Sequence, residues 1–149
     1  MSGILVGADE SDHSRHAVRW AMQEAALRQT LLTVMTVLPG EARPATMVFW
    51  GVRTYSESSD DAELVRTAVH DLVDKVASEI GGPLPEVTVT VATGNPAEEL
   101  LRASRDADLL VVGSRGSGGF GRLMMGSVSS QVMHHAVCPV VVIPSAAAS

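Results

Sequence analysis

Short apolar runs alternate along the chain with longer segments whose apolar positions recur every three or four residues. That alternation predicts a parallel sheet whose strands are joined by crossover helices. Ile4 to Ala8 form the first buried strand, and Ser11 to Ser14 supply helix-start chemistry ahead of a stripe of Ala17, Val18, Ala21, Met22 and Ala25. Leu31 to Leu38 form the second strand, and Pro39-Gly40 breaks the pattern. Residues 39 to about 59 show no clear period and are expected to be a long mobile loop. A helix follows in which Leu64, Ala68, Leu72, Val76 and Ile80 repeat beside Val65, Val69, Val73 and Ala77, ending at Gly81-Gly82.

Val87 to Ala92 alternate with Thr88 and Thr90, which places this third strand near a sheet edge. In the turn Gly94-Asn95-Pro96, Asn95 suits a helix N-cap and Pro96 the first helical position. A short helix runs from there to about Ser104. Leu109 to Val112 make the fourth strand, Ser127 to about Ala136 the last helix, and Val140 to Ile143 the fifth strand. Residues 1 to 149 hold no internal repeat and no sign of a second domain.

Composition narrows the partners. Apolar residues make up 46% of the 149 residues but aromatics only 3%, so the core is built from aliphatic side chains. The net charge of −6 and the lack of any basic run argue against nucleic acid. No segment approaches membrane-spanning length, and Met1 to Val6 lack a basic n-region, so a cytoplasmic protein is expected. Cys138 is the single cysteine, which rules out an internal disulfide, and its apolar neighbours mark it as inert. The adjacent pair His134-His135 points in two directions on a helix and makes a poor chelate, while His13 and His16 lack a nearby cysteine to complete a site.

The segment between the fourth strand and the last helix is rich in glycine and sits where open α/β sheets bind ligands. Glycines let a backbone approach a ligand closely, and the free amides of a helix start attract anions. Two familiar phosphate patterns fail on context. Gly116-x-Gly118-x-x-Gly121 matches the dinucleotide fingerprint but follows the wrong strand, and only aliphatics lie where the ribose-binding acid belongs. Gly121-x-x-x-x-Gly126-Ser127 has Walker A spacing without its lysine, and the only lysine of the chain is Lys75.

A third spacing fits throughout: Gly113, two residues, Gly116, nine residues, then Gly126-Ser127. With Ile4 to Ser11, the Gly94-Asn95-Pro96-Ala97 turn, Asp108 to Gly116 and the ending Cys138 to Pro144, it resembles the ATP-binding branch of the universal stress protein family. The resemblance covers nearly the whole chain. It implies a single-domain open α/β sandwich with a five-stranded parallel sheet, order 3-2-1-4-5, and helices on both faces. ATP, with magnesium, is then expected across the carboxyl ends of strands one and four, at Ala8, Asp9, Val112 and Gly113.

By the same resemblance, Asp9 lies beside the ribose or a nucleotide-bound magnesium ion, although an Asp after a first strand is also a common turn or cap residue. Val37 meets the adenine unless it is simply core. Gly113, Ser114, Arg115 and Gly116 approach the ribose and phosphates, while Gly126, Ser127 and Val128 present amides and a hydroxyl. ATP binding should then be lost in Gly113→Val or Gly126→Val variants that still fold. The family also implies a homodimer through the final strand, Val140 to Ile143.

No catalytic residue is assigned, so the first expectation is a regulatory stress-response protein that acts through nucleotide binding and dimerisation. Slow ATP hydrolysis through Asp9, a nucleotidyl-transferring enzyme on the same layout, and a stress scaffold that binds no nucleotide stay open as alternatives. Pro44, Phe49, Trp50 and Tyr55 raise the further idea that the 39 to 59 segment covers the site.

Overall fold

The computed structural model describes residues 3–39, 48–53, 59–115 and 126–144. Along the chain come β1 (Ile4–Gly7), α1 (Asp12–Arg28), β2 (Leu32–Leu38), β3 (Val48–Phe49), β4 (Val52–Arg53) and α2 (Ser59–Glu79). β5 (Val87–Thr93), α3 (Pro96–Ser104), β6 (Leu109–Gly113), α4 (Ser127–His135) and β7 (Val140–Ile143) complete it. Five of the strands form one parallel sheet in the order β5-β2-β1-β6-β7. Numbered within that sheet alone, the order is 3-2-1-4-5, as the resemblance implied.

Alternation along the strands divides the interior in two, because successive side chains leave a strand on opposite faces. Ile4, Val6, Val34 and Leu38 pack under α1 and α2, whereas Leu5, Met35, Val37 and Leu110 pack under α3 and α4 through Leu100 and Val132. Both faces are therefore covered, which is why the central strands read as unbroken apolar runs. Leu5 and Leu110 are fully buried, and each contributes about 2 kcal/mol by leaving water.

Helix starts follow local chemistry. Ser11 caps α1 by accepting from the Ser14 N–H, and Asn95 caps α3 by accepting from the Glu98 N–H, with Pro96 in the first turn. α2 begins at Ser59, where the expected loop ends, and of its two apolar series Val65, Val69, Val73 and Val76 are buried while Leu64 is left 54% exposed. Both series satisfied the same helical period, and packing in the α1/α2 core took Val76 from the first and Val65, Val69 and Val73 from the second.

The expected irregular loop contains a short antiparallel hairpin, β3-β4, turned by Trp50 and Gly51, which both have positive φ (58° and 74°). Two positive φ values in a two-residue turn match the twist of a hairpin, so the segment carries structure that its composition hid. Pro44 and Tyr55 lie outside the described residues.

Candidate functional site

β1 and β6 are neighbours in the sheet, yet their onward connections run to opposite sides: β1 leads through α1 to β2, while β6 leads to β7 through the segment that ends in α4. Their carboxyl ends therefore flank the topological switch point, where an open α/β sheet leaves a crevice. Ala8, Asp9, Val112, Gly113, Ser114 and Arg115 all lie at this edge.

The end of β6 and the start of α4 are tied together. The Ser114 carbonyl accepts from the Gly126 N–H at 2.7 Å and from the Ser129 hydroxyl at 3.1 Å, and the Ser114 N–H donates to the Ile143 carbonyl at 2.8 Å. These bonds hold both ends of the glycine-rich segment side by side, although its interior, including Gly116 and Arg122, lies outside the described residues. α4 starts at Gly126 with no side-chain cap, in contrast to α1 and α3. The first-turn amides of a helix have no partner within it, which suits a helix start to an anion. Ser127 is exposed there, and Val128 packs on the core under α3 and α4.

Gly113 has a packing role besides any approach to a ligand. A Cβ at this position would lie 3.3 Å from the carbonyl oxygens of both His13 and Arg115. The first turn of α1 thus rests directly on the end of β6.

Asp9 is half-buried and bound into the α1 start. Its Oδ1 accepts from the Ser11 N–H at 2.8 Å, from the Ser11 hydroxyl, and from the Ser14 hydroxyl at 2.8 Å, while the Asp9 N–H donates to Ser14 Oγ at 2.6 Å. The turn role open to this residue is therefore realised, while the cap itself is Ser11. Its neighbour Glu10 accepts from the Trp50 N–H at 2.8 Å, and the Trp50 indole donates to Thr36 Oγ1 at 2.9 Å. Those bonds and the packing of Trp50 seat the hairpin against the α1/α2 core. Val37 sits on the other face, only 6% exposed among Leu5, Met35 and Leu100.

Ser14, Ser129 and Glu10 were not singled out by sequence as site residues. Ser129 is the fourth residue of a Gly-Ser-x-Ser start, a spacing that returns its hydroxyl to the cap, where its single proton is shared between the Ser114 carbonyl and the Gly126 carbonyl, the latter at 3.0 Å. Among the described residues no group of three or more His, Cys, Asp or Glu side chains is placed to hold a metal ion. His134 instead uses Nδ1 to donate to the Ser130 carbonyl of its own helix, at 2.7 Å. Burial pushes the Cys138 thiol above its ordinary value, in keeping with an unreactive cysteine against the α3/α4 core. No helix among the described residues is long and apolar enough to cross a membrane.

The universal stress protein family model matches residues 1–144. A universal stress protein of Mycolicibacterium smegmatis is 36% identical over 145 residues, which cover 95% of this chain and 47% of that protein. The chain thus spans about half the length of the curated relatives it matches. Among solved structures, universal stress protein UspA of Lactobacillus plantarum superposes with a TM-score of 0.74 at 25% identity, covering 95% of this chain and 97% of that one. The Archaeoglobus fulgidus universal stress protein in complex with dAMP superposes with a TM-score of 0.63 at 24% identity, covering 96% and 98%.

Proposed function

We propose that this chain, which belongs to the universal stress protein family, is a cytoplasmic ATP-binding regulator and that residues 1–149 form one nucleotide-binding unit. The observation that carries this reading is the uncapped start of α4, bound to the end of β6 at the switch point and framed by Gly113, Gly126 and Ser127 of the family spacing. The dAMP complex of the Archaeoglobus fulgidus protein supports an adenine nucleotide as the ligand class.

In this reading the phosphates approach the α4 amides of Ser127 and Val128, the glycines at 113, 116 and 126 admit them, and Arg115 offsets their charge. Ala8, Asp9, Val112 and Ser114 face the ribose side, with a magnesium ion carried in on the nucleotide near Asp9. Adenine lies at the end of β2, where the small exposed part of Val37 makes an apolar contact. In this reading the output is binding rather than turnover.

Isothermal titration with ATP, AMP, cyclic AMP and NAD in the presence of magnesium tests this. ATP is expected to bind most tightly, and a wild-type chain that ignores every adenine nucleotide would replace the reading with a scaffold role. Rapid turnover with a second substrate would favour an enzyme instead.

The same proposal includes a homodimer through β7. The carbonyls of Pro139 and Ile143 point towards β6. Backbone groups alternate in direction along a strand, so the N–H and C=O of Val140 and Val142 point outward from the sheet. Sedimentation is expected to give a dimer mass for the wild type and a monomer for Val142→Pro, which removes an outward N–H and leaves the β6 ladder its donors. A Val142→Pro protein that folds and still sediments as a dimer would place the interface elsewhere.

A further inference from the structure

We infer that Ser14 is a positioning residue for Asp9, holding its carboxylate in one rotamer at the ligand-facing edge of the sheet. The role of Asp9 towards a nucleotide rests on the ATP-binding reading above, whereas the hold of Ser14 on Asp9 does not.

Ser14 is 5% exposed, and its hydroxyl is spent on one residue. It donates to Asp9 Oδ1 at 2.8 Å and accepts from the Asp9 N–H at 2.6 Å. Two bonds between the same pair close a ring, so the Asp9 side chain cannot turn about its Cα–Cβ bond without breaking one of them. Ser11 adds its N–H, at 2.8 Å, and its hydroxyl to the same Oδ1. In an ordinary capping box the N-cap side chain and the third helical residue exchange bonds. Here Ser14 is that third residue, and its hydroxyl reaches past the Ser11 cap to Asp9, two positions earlier. By contrast, the capping bond from the Ser14 N–H to Ser11 Oγ is long, at 3.4 Å.

The consequence for binding is pre-organisation. Three donors on Oδ1 fill the acceptor capacity of that oxygen, so the orientation of the whole carboxylate is set before any ligand arrives. A carboxylate already held in its working rotamer loses less freedom on contact with a ribose hydroxyl or a nucleotide-bound cation. A buried serine that merely satisfies its own hydroxyl would affect stability alone.

The test is solution NMR of the full labelled chain, in which three-bond couplings at the Asp9 β-protons report the χ1 populations. Wild type is expected to show a single Asp9 rotamer, and Ser14→Ala an average over several. Ser14→Cys, which keeps the shape but is a weak hydrogen-bonder, is expected to behave like Ser14→Ala and serves if the alanine variant fails to fold.

In parallel, Ser14→Ala is expected to weaken magnesium-ATP binding about five- to tenfold, and to cause no further loss in an Asp9→Ala background. A single Asp9 rotamer in folded Ser14→Ala or Ser14→Cys would overturn the proposal, as would an equal loss of affinity with and without the Asp9 carboxylate. If no adenine nucleotide binds the wild type while the Asp9 rotamer averages in Ser14→Ala, the hold of Ser14 on Asp9 is supported and the ATP-binding reading fails.

Discussion

Gly3→Ala is expected to lower the unfolding free energy by about 3 kcal/mol, read as a reduced midpoint in urea at unchanged slope. Gly3 has φ +126°, a backbone region that side chains rarely enter. A Cβ there would also lie 2.4 Å from the Leu31 carbonyl oxygen, a backbone atom that cannot move aside as a flexible side chain can. That carbonyl accepts from the Ile4 N–H at 2.9 Å, so moving it disturbs the junction of β1 and β2. Gly3 is also paired twice with Asp108, its N–H donating to Oδ2 at 2.8 Å and its carbonyl accepting from the Asp108 N–H at 2.8 Å. The variant therefore strains both neighbours of β1 at their amino ends. A change below about 1 kcal/mol would mean that this corner relaxes freely.

The second large effect separates the two glycines flanking the loop. Gly113→Val is expected to destabilise the fold by about 2 kcal/mol in addition to abolishing ATP binding, because its Cβ presses on the carbonyls of His13 and Arg115. From sequence, binding is expected to be lost in a variant that still folds. The structure adds a cost in stability, since displacing His13 shifts the α1 turn that holds Asp9, and lost binding would then have two causes.

Gly126 is the cleaner probe. Its φ of −64° and ψ of 157° are open to any residue, so Gly126→Val carries no backbone strain and costs about 1 kcal/mol as a poorer N-cap. Its β-branched side chain stands at the α4 start, where the phosphates are proposed to lie. ATP affinity is expected to fall at least about tenfold, a change of about 1.4 kcal/mol, while the melting temperature drops by only a few degrees. Titration calorimetry and thermal unfolding of the two variants, side by side, check this. Undiminished ATP binding by Gly126→Val would remove the α4 start from the site.

Much of this molecule is determined by its sequence alone. Apolar runs such as Leu109 to Val112, too short for helices and bounded by breakers, specify the parallel strands, and Asn95-Pro96 specifies where α3 begins. Both are local consequences of burial and backbone chemistry, which is why they are legible without coordinates. The spacing of Gly113, Gly116, Gly126 and Ser127 likewise singles out the universal stress protein family from two decoy patterns.

Only the tertiary structure decided which apolar positions of α2 are buried, because Leu64 and Val65 both keep the helical period and their separation is settled by packing in the α1/α2 core. It also revealed that Trp50 and Gly51 turn a hairpin, since Trp50 enters positive φ while its indole is held by Thr36 and its N–H by Glu10. The double role of Gly113 and the bonding of Ser14 to Asp9 belong to the same class. The contact of Gly113 with His13 joins residues 100 positions apart, and the Asp9 to Ser14 ring depends on side-chain direction at a helix start. Pattern along a chain records which residues are buried and where elements begin. Which atoms meet at the carboxyl edge of the sheet depends on how those elements pack.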